Sequence, residues 1–353
     1  MQIARLVLAS CVALDLDLPN VWLMHVGPPG GGKTEIYVEI ANAYHPHVET
    51  ADLSEAGLIS MEKKTKGQGV LKRLGAKGVW TIADFSSITS LREETRAKIA
   101  SALRHIYDQK WSRDMKGQME PWTGKCAVIA ACTNAIEKFH KLQGELGDRF
   151  IQVRSARVSA VELHNKAREQ QRHRQQVKDQ LHEAGTQMLL AHNGLPQMSD
   201  EVSEQIAGLA DLCGSARKPI GRDYQGKIFE VLETESGGRL YQQFSAVAQA
   251  DAALQGHHSI TDSQLALLFR VAIDSAPIGR ALVLKRLLTP QVPELGWADL
   301  FSTGEFEWKM QLTRSLEELE ITGLVVKDGE GKEAKYRASE RALVLAIPAF
   351  TWS

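Results

Sequence analysis

The sequence has no excess of either charge: 42 Lys and Arg stand against 43 Asp and Glu, a formal net charge of −1. No overall basic field therefore advertises a nucleic-acid binder, and any such surface has to be a local patch. Cysteine is scarce as well. Cys11, Cys126, Cys132 and Cys213 show no C-x-x-C spacing, and they read as reduced, buried small side chains of a cytoplasmic protein. No apolar run approaches the ~20 residues of a membrane span. Met1 to Leu14 is apolar, but Arg5 is its one basic residue and Asp15 and Asp17 follow at once. It reads as an amphipathic helix packed beside the next strand rather than as a secretory leader. What remains, 43% hydrophobic and 24% charged in 353 residues, is an ordinary globular composition with room for two or three domains.

The chain is organised around Gly27-Pro28-Pro29-Gly30-Gly31-Gly32-Lys33-Thr34. This stretch fits the phosphate-binding pattern Gly-x4-Gly-Lys-[Ser/Thr] without a mismatch. Glycines let the backbone curl so that successive N–H groups face the same phosphate oxygens, and a helix starting at Lys33 adds its positive dipole end. Lys33 would reach the β- and γ-phosphates of a nucleotide, and the Thr34 hydroxyl would take one position on Mg2+. The context suits the motif: Val21 to Val26 reads as a buried strand before the loop, and Glu35 to Tyr44 as a helix after it.

Further apolar runs supply the companions such a loop needs. His47 to Asp52 suits a short strand, and Gly78 to Phe85 a buried one. Asp84 closes the second, where a carboxylate can orient Mg2+ and its waters, or simply cap the next helix. Cys126 to Cys132 is a third strand, ending in Thr133-Asn134; an amide there can hydrogen-bond a γ-phosphate or an attacking water, and Asn is also a routine turn residue. Arg149 precedes another apolar segment. It either pairs with Asp148 or Glu145, or reaches across a subunit boundary as an arginine finger.

Two stretches offer local basic patches. Lys63, Lys64 and Lys66 lie in a glycine-containing loop, a solvated surface or a finger for a polyanion. Residues 108–124 look like a hairpin in which Lys110, Arg113 and Lys116 interleave with Trp111 and Trp122; that suits nucleic acid, or a surface hairpin folded on its own tryptophans.

From Ala160 to His192 a long polar helix follows, then helices around 199–213 and 223–233. Arg217 could fold back from them onto the phosphates, and Arg222 is a second candidate. The last part orders as helix (Ile278 to Leu288), helix (Trp297 to Phe301), helix (Glu305 to Leu319, with Trp308, Leu312, Leu316 and Leu319 on one side) and hairpin (Leu324 to Ala338). That is the order of a winged helix. Its wing carries Lys332 and Lys335, while Glu307, Glu317, Glu318 and Glu320 lie in and just after the third helix, so contact with DNA and contact with a protein both stay open.

As an ordered set these features resemble an AAA+ ATPase. The resemblance makes Gly27–Thr34 the Walker A motif, Asp84 Walker B, Asn134 sensor 1, Arg149 the arginine finger and Arg217 sensor 2. The hairpin at 108–124 is similar to the pre-sensor hairpin of the MCM-like and superfamily 3 helicase branches, in phage- and plasmid-type replication or maintenance ATPases. The implied fold is α/β: a three-layer P-loop ATPase domain over 1–155, a helical lid over 156–260 and a C-terminal winged-helix domain over 261–353. The resemblance implies ATP and Mg2+ as cofactors, a homo-oligomeric ring, usually a hexamer, and DNA in the central pore. A helicase, a helicase loader or a replication initiator of a mobile element is the expected role; a remodelling or regulatory switch that binds a protein through its winged helix is the alternative. The pattern departs from the family in one place: Phe85 stands where a catalytic glutamate normally follows the Walker B aspartate. Asp52 and Glu35 are the substitute bases to consider, and without one the protein is a slow switch rather than a motor. An aromatic-hydrophobic-glycine pore loop is also missing, which favours nucleic acid over polypeptide as client.

Overall fold

The computed structural model describes all residues except 1, 29–32, 52, 54, 59–68, 116–117, 139–145, 156–159, 193, 233–236, 290–293, 307 and 347–353. At 33–36, 55–56, 113–115, 118–120, 138, 148, 160–174 and 332 only the backbone is described. The chain divides into two compact units, Met1–Gln197 with Ala246–Ser259, and Met198–Ser245 with Ile260–Ser353.

The first unit contains α1 (Gln2–Asp15), β1 (Trp22–Val26), α2 (Lys33–Ala41), β2 (His47–Thr50), α3 (Glu55–Leu58), α4 (Val70–Leu74) and β3 (Lys77–Ile82). Next come α5 (Glu93–Tyr107), β4 (Lys110–Met115), β5 (Gln118–Thr123), β6 (Lys125–Cys132), β7 (Ile151–Arg154) and α6 (Ala160–Ala191). Five strands form a parallel sheet in the order β2-β3-β6-β1-β7. Strands β1 and β6 are buried at every position and β3 at all but its first. A parallel sheet covered on both faces demands such continuous apolar runs, and this is why they stand out in the sequence. Trp22, Trp80 and Phe85 are among the largest fully buried side chains.

Helix α1 is buried at every residue from Leu6 to Leu14, not along one stripe, because α2, α6 and the sheet all pack on it. Arg5 ties it to the second segment of the unit, donating from Nε and Nη2 to the Asp251 carboxylate at 2.9 and 2.6 Å. Strands β4 and β5 form the expected hairpin, with Trp111 opposite Trp122. Both rings are buried, and Trp122 Nε1 donates to the Gly75 carbonyl at 2.8 Å. Glycine is required at 124, where a Cβ would lie 2.7 Å from the Trp122 ring. The tryptophans thus anchor the hairpin at its root.

The second unit contains α7 (Asp200–Arg217), β8 (Ile220–Arg222), β9 (Ile228–Val231), part of α8 (Gly238–Leu254), α9 (Asp262–Asp274) and α10 (Ile278–Leu287). It continues with β10 (Leu295–Gly296), α11 (Trp297–Ser302), α12 (Lys309–Ile321), β11 (Val325–Asp328), β12 (Lys335–Ala338) and α13 (Glu340–Ala346). Strands β10, β12 and β11 pair antiparallel in that order.

Two expectations change here. Residues 220–231 form a hairpin, where the sequence suggests a helix around 223–233. Asp223 Oδ1 accepts from the N–H groups of Gln225 and Lys227, both at 2.9 Å, and Gly226 has a φ of 81°. Such a side-chain-closed turn outcompetes helix. Trp308, expected on the core stripe, occupies the N-cap position of α12 and is 66% exposed, while Leu312, Leu316 and Leu319 are buried. Helix α6 packs along α2, with Gly185 against Ala43 and Ile40. Helix α7 instead buries Ile206, Leu209, Leu212 and Cys213 and packs with α9 and α13.

Candidate functional site

The carboxyl ends of the parallel strands converge on the start of α2. Gly27 N donates to Cys132 O at 3.0 Å, Ala83 N to Thr50 O at 2.8 Å, Asp84 N to Ala51 O at 3.1 Å and Ser155 N to Val26 O at 3.0 Å. From β1 the chain runs out to the edge strand β2, returns through β3 to β6 beside β1, and then passes to β7 on the other side. The order therefore reverses at β1, and in open α/β sheets ligands bind at the carboxyl ends beside such a reversal. The glycine-rich loop lies there. Gly27 and Pro28 follow β1 and Lys33 begins α2; Pro29, Gly30, Gly31 and Gly32 lie outside the described residues, and of Lys33 and Thr34 only the backbone is described. The first turn of a helix leaves N–H groups without intrahelical partners, which makes such a helix start suited to an anion.

Two tips next to the loop are stitched together. Asp84 is exposed, and its Oδ1 accepts from Ser86 N at 2.9 Å, capping a 3-10 turn over Phe85–Ser90. Ser86 Oγ in turn accepts from Thr133 N at 2.8 Å and lies 3.1 Å from Thr133 Oγ1. Asn134, the next residue, is exposed. The two readings of Asp84 are compatible, because capping uses one carboxylate oxygen. Mg2+ typically needs only one or two carboxylates beside phosphate oxygens and water, and a single exposed Asp84 fits that donor set. No group of three or more His, Cys, Asp or Glu able to hold a metal occurs among the described residues. Phe85 is 0% exposed, its ring centroid 5.6 Å from that of Phe150; the 3-10 turn directs position 85 into the core. Of the substitute bases, Asp52 lies outside the described residues and the Glu35 side chain is not described.

Residues 23–157 match the family model of AAA, ATPases associated with various cellular activities. No curated protein matches the chain. The matched stretch runs from within β1 to just past β7, and it includes the loop, Asp84 and Asn134 on one mostly parallel sheet. An AAA domain binds nucleotide, usually with Mg2+. No helix among the described residues is long and apolar enough to cross a membrane.

The other candidates belong to other elements. Arg149 is 3% exposed. Its Nη1 donates to Leu146 O at 3.3 Å, its Nη2 lies 3.6 Å from Asp108 Oδ2, and its guanidinium carbon is 5.7 Å from the centroid of Tyr107. Asn20 Nδ2 donates to Tyr107 O at 2.8 Å, so this cluster lies at the amino end of β1, across the sheet from the loop. In this conformation Arg149 contacts its own chain through Asp108 and is not displayed as a finger. Arg217 ends α7 in the second unit and is half-buried. Arg222 is a structural clamp: it donates to Glu318 and Glu317 at 3.0 Å each and to Gly226 O at 2.7 Å.

Among the basic residues, Lys63, Lys64, Lys66 and Lys116 lie outside the described residues, while Arg113 and Lys332 are described by backbone alone. Lys110 is exposed at the root of the β4–β5 hairpin. Lys335 is occupied: its Nζ donates to Glu294 Oε1 at 2.5 Å, a hydrogen bond that raises its pKa.

Two features of the AAA domain escaped sequence reasoning. One is Ser86. The other is Arg154, in register with Val26 beside the loop, whose Nη2 lies 2.7 Å from Glu137 Oε1 with both side chains largely buried. A cation closing β7, with an acid three residues beyond Asn134, was the available signal.

Proposed function

We propose that this chain is an AAA+ ATPase of the MCM-like or superfamily 3-like branch that acts on DNA as a helicase, helicase loader or replication initiator. ATP·Mg2+ would be held by Gly27 to Thr34, with Lys33 on the β- and γ-phosphates, Thr34 and Asp84 toward the metal, and Asn134 toward the γ-phosphate or the attacking water. The observation that carries the DNA reading is the β4–β5 hairpin: it is inserted directly before β6, anchored at its root by Trp111 and Trp122, and joined through the buried β6 to Thr133 and Asn134. A rigid strand with a phosphate sensor at one end and a lysine-bearing hairpin at the other can convert nucleotide state into hairpin position. In a ring, Arg149 would serve in trans once a neighbouring subunit draws it from Asp108, and Arg217 would act as the lid arginine. With Phe85 at the usual glutamate position, the reading is of slow turnover, assisted by Asp52 or Glu35.

A second reading rests on the second unit, whose helices α10, α11 and α12 with the β10-β12-β11 sheet have the order of a winged helix. The wing cation Lys335 is paired with Glu294 and Arg337 with Asp328. Trp308, Met310 and Ile321, at the start and end of α12, are exposed. That neutral, partly apolar face suits a protein partner better than duplex DNA. ATPase rates with and without DNA over a salt series separate the readings. Stimulation that falls steeply with salt, and is lost on changing Lys110, Arg113 and Lys116 to Ala, supports the DNA role; rates indifferent to DNA support the protein partner.

A further inference from the structure

The β8–β9 hairpin of the second unit displays two aromatic rings to solvent, and nothing in the ATPase account uses them. Tyr224 at its tip is 95% exposed and Phe229 is 67% exposed. Neither is there by accident of a loose loop. The tip is closed by the Asp223 carboxylate and Gly226, and Arg222 fastens the hairpin to Glu317 and Glu318 of α12. The register slips between Gly221 and Arg222, which pair with Glu230 and Ile228, leaving Phe229 as the extra residue of a bulge. Bulges re-aim side chains. Here the Phe229 ring packs on Gly221, two of its atoms 2.9 and 3.0 Å from where a Cβ at 221 would stand, so it rests on bare backbone while staying largely exposed.

Two cations lie near the rings. Lys227 is exposed between them in sequence. The Arg314 guanidinium lies beside the tip, 3.3 Å from where a Cβ at Gly226 would be. Among the nearby acids, Asp223 is occupied by the turn and Glu317 and Glu318 by Arg222, while Glu230, next to Phe229 in the chain, is exposed. Rigid open rings with adjacent cations are the means by which proteins hold unpaired bases: each base has a face to stack, and the cations follow the phosphates.

We propose that the 220–231 hairpin is a binding site for single-stranded DNA, with Tyr224 and Phe229 stacking on bases and Lys227 and Arg314 meeting the backbone. The proposal rests on the DNA reading above and adds a second contact element to the β4–β5 hairpin. Base stacking on a hairpin does not require α12 to enter a groove, so the acids of α12 do not oppose it.

The test is fluorescence anisotropy of a labelled oligothymidine and of a mixed-sequence duplex, titrated with the full chain over a salt series. Tyr224→Ala and Phe229→Ala should each weaken oligothymidine binding about tenfold and leave the salt slope and the melting temperature unchanged, since both rings are exposed. Lys227→Ala should lower the slope by about 0.7. Tyr224→Trp should restore or tighten binding. Wild-type affinity in the doubly substituted Tyr224→Ala/Phe229→Ala protein would overturn the proposal. If the variant lacking Lys110, Arg113 and Lys116 is weakened in the same experiment, the DNA role of the ATPase unit survives without it. A wild-type chain that binds no oligothymidine overturns this site, and ATPase rates indifferent to DNA overturn the DNA reading as well.

Discussion

Replacing Phe85 with Glu, which would write the usual acid into the Walker B position, is expected to damage the fold without restoring catalysis. Phe85 is fully buried against Phe150 and belongs to the core under the sheet. Losing a buried phenyl ring costs about 3–5 kcal/mol. The introduced carboxyl has no charge partner in that cluster and must stay protonated or drag in water, which adds on the order of 2 kcal/mol or more. Against a typical total of about 5–15 kcal/mol, that takes a large share of the stability. Turning position 85 outward instead requires breaking the Asp84–Ser86 cap and the Ser86–Thr133 bond. Phe85→Leu, which keeps the volume nearly filled, should cost less than about 1.5 kcal/mol. Thermal melting followed by near-ultraviolet circular dichroism distinguishes them: at about 2–4 °C per kcal/mol for a unit of this size, Phe85→Glu should melt at least ~10 °C lower and Phe85→Leu within a few degrees of wild type. A folded Phe85→Glu protein with wild-type melting and faster ATP turnover would refute the placement of this side chain and the account of the missing acid.

Other consequences follow from single contacts. Ser86→Ala strands the Thr133 N–H and should cost about 1–3 kcal/mol in urea unfolding, whereas Ser87→Ala, whose hydroxyl caps an exposed turn, should stay under about 1 kcal/mol. Glu318→Ala leaves Arg280, whose side chain is 4% exposed, without the carboxylate it reaches at 2.8 Å and should destabilise the second unit by about 3 kcal/mol; Glu317→Ala, at a half-exposed pair, should fall below about 1 kcal/mol. Burial lowers the His47 pKa to about 4 from 6.5, so the unfolded chain binds a proton there that the folded one refuses. Its stabilisation is complete above pH 6.5 and is lost as pH falls toward 4, by about 2 kcal/mol once the partly open ring is allowed for. His47→Gln should flatten that part of the stability–pH curve.

What the sequence disclosed was local or periodic. The buried strands were continuous apolar runs, the loop carried its own pattern, and tryptophans bracketed the β4–β5 hairpin. The long helix α6 and the three-helix order of the second unit were likewise legible. What it hid depends on partners remote in the chain. For Arg149 the sequence offers Asp148 or Glu145 as local partners, whereas Tyr107 and Asp108, some forty residues earlier, are the groups beside it. The sequence around 223–233 reads as helix because the hairpin's strands are only three and four residues long and its turn is closed by the Asp223 side chain. Trp308 matched a helical stripe in spacing but sits one residue before the helix starts. Ser86 had no motif at all, only a position between two strand tips.

The account depends on nucleotide held by the loop at the start of α2. Isothermal titration of the wild-type chain and of Lys33→Ala with Mg·ATP tests this directly. A lysine bonded to phosphate contributes about 1.5–3 kcal/mol, so Lys33→Ala should bind about 10- to 100-fold more weakly, with unchanged melting in the absence of ligand. Equal affinity of the two proteins for Mg·ATP, or no binding by the wild type, would contradict it.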